Sequence, residues 1–182
     1  MATWNLDTTH SGASFSVRHM MVSTVRGSFS SLRGTLEYDP ANPAAASVEV
    51  EIDASSIDTG VADRDNHLRS ADFFDVEKYP HITFKSKKVE LTGDDEARIT
   101  GDLTIRDVTR EVVIEAEYLG QTKSPFGDQR VGFSGSTRID REQWGLTWNV
   151  AMEAGGVLVS KEIKISLDVQ AVLVTEGETA TA

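Results

Sequence analysis

Cysteine is absent from all 182 residues. Disulfides, zinc–thiolate sites and thiol catalysis are therefore excluded. Proline is scarce, and two of the four stand in one turn, "YDPANPAA". Basic residues are outnumbered, 18 Lys plus Arg against 29 Asp plus Glu, for a net charge of −11. Such a surface repels phosphate backbones, so nucleic acid is not an expected partner. No apolar run approaches the length of a membrane span, so stable membrane insertion is not expected. The opening "MATWNLDTTH" has neither a basic n-region nor an apolar h-region. The expected compartment is the cytoplasm, or the periplasm if a leader has been removed.

Familiar catalytic signatures are also missing. There is no P-loop and no Gly-x-Gly-x-x-Gly, and "GFSGS" has the wrong spacing for a nucleophile elbow. The four histidines, His10, His19, His67 and His81, form no His-x-His or His-x-x-x-His pair. The expectation is no catalytic residue, no metal site and no cofactor.

What the chain has is alternation, the period of a half-buried antiparallel strand. "SVEVEIDAS" sets Val48, Val50 and Ile52 against Glu49, Glu51 and Asp53. The same parity aligns Ile82 with Phe84, and Ile99 with Gly101, Leu103 and Ile105. It aligns Val112 with Ile114, Ala116 and Tyr118, and Val131 with Phe133, Gly135, Thr137 and Ile139. Near the C-terminal end it aligns Ile163, Ile165, Leu167, Val169 and Ala171. Near the start, Phe15, Val17 and His19 share a face, with His19 as a polar handle at a barrel end. In "TVRGSFSSLRGTLEYD", Val25, Gly27 and Phe29 have one parity and Leu32, Gly34, Leu36 and Tyr38 the other, which predicts a bulge near Ser30–Ser31.

Turn chemistry in "TGDDEA", "RDVTRE" and "KSPFGDQ" joins these strands by hairpins. About eight strands in sequence favour closure into an up-and-down barrel, which removes sheet edges. Small inward residues (Gly27, Gly101, Ala116, Gly135, Thr137, Ala171) leave room for an apolar cavity, or act as kinks that let the barrel curve.

Two stretches break the pattern. "DREQWGLTWNVAMEAGG" opens with one helical turn capped by Asp140 and ended near Gly145. "DRDNHLRSADFFDVEKYPHITF" predicts a short helix capped by Asp63 or Thr59 and running through Ser70. Its charges read as a salt-bridged surface or as a lid. In the lid reading Leu68, Phe73 and Phe74 close a barrel mouth, while Arg64, Asp65, His67 and Arg69 meet a head group or brace the lid.

Several stretches carry a family resemblance: "WNLDTTHS", "FSVRHM", "RGSF", "IDASSIDTG", "RD-x-HLRSADFFD" with "KYP-x-ITF", "GDLTIRDVT" and "IDREQWGLTWN". On these motifs, over roughly Thr3 to Val174, the chain resembles the YceI-like proteins, also described as polyisoprenoid-binding or lipocalin-like. It departs from many of them at Asp107, where they carry glycine. The resemblance implies an all-β, antiparallel eight-stranded lipocalin-like barrel over residues 1–174, with an internal apolar channel. Residues 175–182 are expected to be a disordered tail.

It also implies binding of a polyisoprenoid or similar long-chain lipid, as a carrier, storage or sequestration protein and not as an enzyme. The rival readings are an enzyme acting on an isoprenoid or quinone intermediate, a scavenger of apolar toxins, and a quinone or haem binder. The expected lining is Phe15, Val17, His19, Phe29, Val50, Ile52, Ile82, Phe84, Leu103, Ile105, Ile114, Phe133, Ile165 and Leu167, with Leu68, Phe73 and Phe74 from the lid. The resemblance and the aromatic "QWGLTW" point to a homodimer, with Trp144 and Trp148 equally readable as core.

Overall fold

The computed structural model describes residues 1–152 and 156–175. The expected tail, apart from Thr175, lies outside the described residues. The strands are β1 (Ala2–Leu6), β2 (Gly12–His19), β3 (Ser23–Phe29), β4 (Leu32–Tyr38), β5 (Ser47–Asp53), β6 (Ile57–Asp58), β7 (His81–Leu91), β8 (Glu96–Ile105), β9 (Val108–Lys123), β10 (Gln129–Asp140) and β11 (Val159–Leu173), with one helix, α1 (Ala62–Arg69).

Neighbouring strands pair antiparallel in the order β1-β4-β5-β7-β8-β9-β10-β11, and β11 returns to β1. This is the expected closed eight-stranded barrel. β2 and β3 prolong β1 and β4 beyond a break in each. β11 therefore pairs with β2 along its first part (Ile165 with Phe15) and with β1 near its end (Ala171 with Leu6). The break between β3 and β4 falls at Ser30–Ser31, as the parity shift predicts. Ser31 serves it by giving its hydroxyl to Asp53 Oδ2 at 2.6 Å and taking the Asp53 amide at 2.9 Å.

Three further register shifts are invisible in the alternation, one of them between β11 and β2 at Val159–Ile163. Lys87 is extra between β7 and β8, and Leu119 is extra between β9 and β10. Each bends its strand and adds twist. The β8–β9 turn is the two residues Arg106 and Asp107, and its positive φ (57°) falls on Arg106. Close approach explains two inward glycines. A Cβ on Gly27 would lie 2.5 Å from the ring of Phe15, its cross-strand partner, and one on Gly101 would lie 2.5 Å from the Phe84 ring.

The interior falls into two clusters. One joins Phe29, Ile57, Phe73, Ile82, Ile105, Ile139, Trp144 and Leu146, at the end of the barrel where α1 sits. The other joins Trp4, Leu6, Leu32, Leu36, Tyr38, Val131 and Ala171, toward the opposite end. Asp140 caps the turn Arg141–Trp144 through the Glu142 amide, and Gly145 ends it at φ 81°, as expected. Arg141 is 4% exposed and donates to the carbonyls of Leu146, Trp148, Val159 and Ser160. Trp144 is 1% exposed and its indole donates to Leu103 O at 2.9 Å, so this tryptophan belongs to the core.

The helix departs from expectation in its cap. Val61 is the N-cap and makes no side-chain bond. The carboxylate of Asp65, in the helix, instead reaches back to Thr59 and accepts from its amide and hydroxyl at 2.9 and 2.5 Å. The chain folds this way because an apolar residue at the cap leaves the preceding loop to be held from inside the helix.

Asp7 stands at the break between β1 and β2 and binds across the closure. Arg130 Nη1 lies 2.6 Å and His10 Nδ1 2.8 Å from its Oδ2. Burial alone raises its pKa, but the bonds from His10, Arg130 and the Thr9 amide outweigh this and bring it from 3.8 down to about 2. A carboxyl depressed on folding adds stability above its unfolded pKa and loses it as pH falls toward the folded one. Asp7→Asn is expected to cost about 2 kcal/mol at pH 7, and the difference from wild type should vanish between pH 4 and pH 2. Urea titrations across that range check it.

Candidate functional site

Where the second cluster thins out, the barrel holds a cavity of about 350 Å³. This lies at the low end of ordinary ligand pockets, roughly 300–1,000 Å³. Its deep walls come from inward positions of strands around the ring. They include Leu6 of β1, Leu36 of β4, Val48 and Val50 of β5, Phe84 of β7, Ile99 of β8, Ile114 of β9 and Leu167 of β11. Small residues, Ala116 and Gly135, leave the space at its centre. One wall is aromatic. The ring of Tyr38 meets Phe133 edge-on at 5.4 Å and Tyr118 at 6.3 Å, and Tyr118 lies 5.7 Å from Phe133.

The mouth is formed by the β4–β5 connection, with Pro40, Pro43 and Ala46, and by the β7–β8 hairpin, with Leu91, Asp94, Asp95 and Glu96. Tyr38 is buried just inside it, at 6% exposure. Burial raises its pKa, and Tyr118, Asp39 and Asp95 push it further the same way, so the phenol keeps its proton.

The expected site residues divide between the two ends. Val50, Phe84, Ile114, Phe133 and Leu167 line the cavity. Phe29, Phe73, Ile82 and Ile105 are buried in the cluster at the other end, where Phe15, Ile52, Leu68, Phe74, Leu103 and Ile165 pack against them. The interior there is filled by side chains. Val17 and His19 are half-buried near the β2–β3 hairpin and face Ile163 and Val159 of β11.

α1 also sits at that filled end, away from the mouth. Arg64 binds the hydroxyl and carbonyl of Thr59 at 2.7 and 2.9 Å, and Arg69 binds the carbonyls of Ser55 and Ile57, both at 2.9 Å. Asp65 is taken up by Thr59. His67 Nε2 is 2.8 Å from Asp72, and its ring stands edge-on to Phe73 and Trp148 at 5.2 and 4.6 Å.

The pattern did not single out Tyr38, Tyr118 or the acidic hairpin as site residues. Both tyrosines share the inward parity of their strands, which was the available signal. "TGDDEA" reads only as a turn until Pro40 and Pro43 are seen to face it across the mouth.

One trio has metal-ligating chemistry. Donor atoms of Glu51, Asp53 and His81 lie within 4.8 Å of one another. Arg33 is already placed among them, bonded to Glu51 and 3.3 Å from Asp53. The Ser31 hydrogen bond and Arg33 hold Asp53 below the usual carboxylate range. A guanidinium in that position supplies the positive charge that a cation would bring, so the trio fits an ion-pair ladder on the outer face better than a metal centre.

Comparison with known proteins agrees with the barrel. The family model described as the YceI-like domain matches residues 4–171. Protein YceI of Escherichia coli O157:H7 is 39% identical over 163 residues, 90% of this chain and 82% of that protein. Among solved structures, BcnA of Burkholderia cenocepacia superposes with a TM-score of 0.78 at 23% identity, covering 91% of this chain and 98% of that one. A polyisoprenoid binding domain from Saccharophagus degradans gives 0.70 at 14% identity, covering 96% and 100%. At these identities the two structures speak to the fold alone. The family match spans the whole closed ring, from Trp4 in β1 to Ala171 in β11, and the chain belongs to the YceI-like family.

Proposed function

We propose that this protein binds the apolar chain of a polyisoprenoid or similar lipid in the barrel cavity, and acts as a carrier, store or sequestering protein and not as a catalyst. The observation that carries the reading is the cavity itself, apolar over most of its depth and acidic at its mouth. An amphiphile has the matching division. Burying its tail yields about 0.8 kcal/mol per methylene-sized group, so a short stretch of prenyl chain already gives useful affinity. The YceI-like membership and the polyisoprenoid binding domain among the fold neighbours supply the ligand class to test first.

The deep lining offers hydrocarbon and aromatic surface, which supports holding a chain and not reacting with it. In this reading the arginines of the α1 region hold the filled end together and do not meet the head group, because their donors already serve backbone carbonyls.

Two expectations test this. Ile114→Asp places a carboxylate in the apolar wall, and Ala116→Trp fills the space. Each should weaken a fluorescent long-chain prenyl alcohol at least tenfold in protein that still folds, as measured by fluorescence titration and circular dichroism. Undiminished affinity in both would reject the cavity as the site. Arg69→Ala should lower stability by about 1–3 kcal/mol, the cost of leaving two carbonyls without a donor, while the same titration shows unchanged affinity. A selective loss for prenyl phosphate would instead place Arg69 at the head group.

A further inference from the structure

We propose that the mouth of the cavity selects amphiphiles whose head group is an uncharged hydrogen-bond acceptor, and discriminates against phosphate, diphosphate and carboxylate heads. This deepens the binding reading above and rests on it. Two independent observations carry it.

The first is the Tyr38 hydroxyl. The side chain is 6% exposed and lines the cavity, yet its hydroxyl makes no hydrogen bond among the described residues. The Trp4 indole takes only its backbone carbonyl, at 3.2 Å. The ring is buried, but the hydroxyl oxygen is not among the fully buried unpartnered atoms, so it opens on accessible space, and the phenol keeps its proton. It can donate to an acceptor, and Tyr38 lines the cavity near the mouth, where a head group would rest when the tail fills the space.

The second is the charge around it. Asp94, Asp95 and Glu96 line the mouth and are exposed, and none is ion-paired with a cation among the described residues. Asp39, which follows Tyr38, and Asp95 are the carboxylates whose charge acts on the phenol. The nearest basic residues on these strands are engaged elsewhere: Lys88 with Glu90, and Arg98 with Glu115. An anionic head at Tyr38 would meet several carboxylates, and no lysine or arginine is among the described residues that line the cavity. A neutral carbonyl or hydroxyl oxygen meets no such penalty. An ammonium would suit the rim but has no lone pair for the phenol.

The test compares farnesol, farnesyl phosphate, farnesylamine and the hydrocarbon farnesene by competition against a fluorescent prenyl alcohol, at low and high salt. Wild type should bind farnesol at least tenfold more tightly than farnesyl phosphate at low salt, with the gap narrowing as salt screens the rim. The triple variant Asp94→Asn, Asp95→Asn, Glu96→Gln, all at exposed positions, should close the gap by strengthening the phosphate alone. Tyr38→Phe, which keeps the ring in place, should weaken farnesol about fivefold more than farnesene. Phosphate binding as tight as farnesol, a gap untouched by the triple variant, or farnesylamine binding tenfold tighter than farnesol would each overturn the proposal. Failure of wild type to bind any of the four, farnesene included, would instead overturn the cavity reading on which it rests.

Discussion

Arg141 turns an open-ended ring of strands into a cup. A closed barrel of eight strands has two ends, and a tail-binding cavity with one mouth needs the other end stopped. The stopper is the segment 141–148 after β10, which belongs to no strand. Arg141 supplies the hold, giving its donors to carbonyls of Leu146 and Trp148 in that segment and of Val159 and Ser160 at the start of β11. Burial pulls its pKa down, while Glu142 and Asp140 beside it oppose that pull. With the segment pinned, Trp144 and Leu146 enter the core beneath Leu103 and Phe73, and α1 closes over the same end. A charged group is the right tool here, since one guanidinium can serve several carbonyls in a fixed fork.

Side-chain size then decides which half of the barrel is full. Toward α1, aromatic rings lie over cross-strand glycines, as Phe15 does over Gly27, and the space is consumed. Toward the mouth, Ala116 and Gly135 line the cavity, and the side chains nearest Gly135 are the aliphatic Ile114 and Leu167, not an aromatic ring. The same kind of small residue therefore has opposite results, according to whether an aromatic partner stands across the strand pair. The bulge at Lys87 turns β7 just past Phe84, and the one at Leu119 turns β9 just past Tyr118, both on the cavity side.

Much of the architecture was legible as period-two alternation. Parity located β2–β5, β7–β11 and the break at Ser30–Ser31, because a half-buried strand writes its two faces into alternate residues, and turn residues located the hairpins; β1 and the two-residue β6 are too short to show the pattern. The turn at Arg141–Trp144 was legible for a similar reason, through an Asp cap and a left-handed Gly145. Parity says which face is inward but not how far along the axis a residue sits, or whether its neighbours meet. Val50 and Ile52 share a face of one strand, yet the first lines the cavity and the second packs against the filled end. The helix cap was misread because Asp63 and Thr59 are good cap residues by type, while the fold gave Asp65 the task of holding Thr59. The placement of α1 was beyond reach of periodicity, since nothing in "DRDNHLRS" says which end of the barrel it covers.

The seam between β1 and β11 has a kinetic side. Trp4 pairs with Leu173 and Leu6 with Ala171, so the ring closes through contacts spanning nearly the whole chain. Such contacts form late and slowly, because loop closure must come before the pairing that rewards it. Until then both seam strands have open edges of the kind that invite pairing with other chains. Leu6 and Val169, which stand on the two sides of this seam, are also cavity walls. The cavity wall is incomplete until the seam pairs, so any occupant adds its binding free energy to the closed ring alone, acting as a latch on the seam.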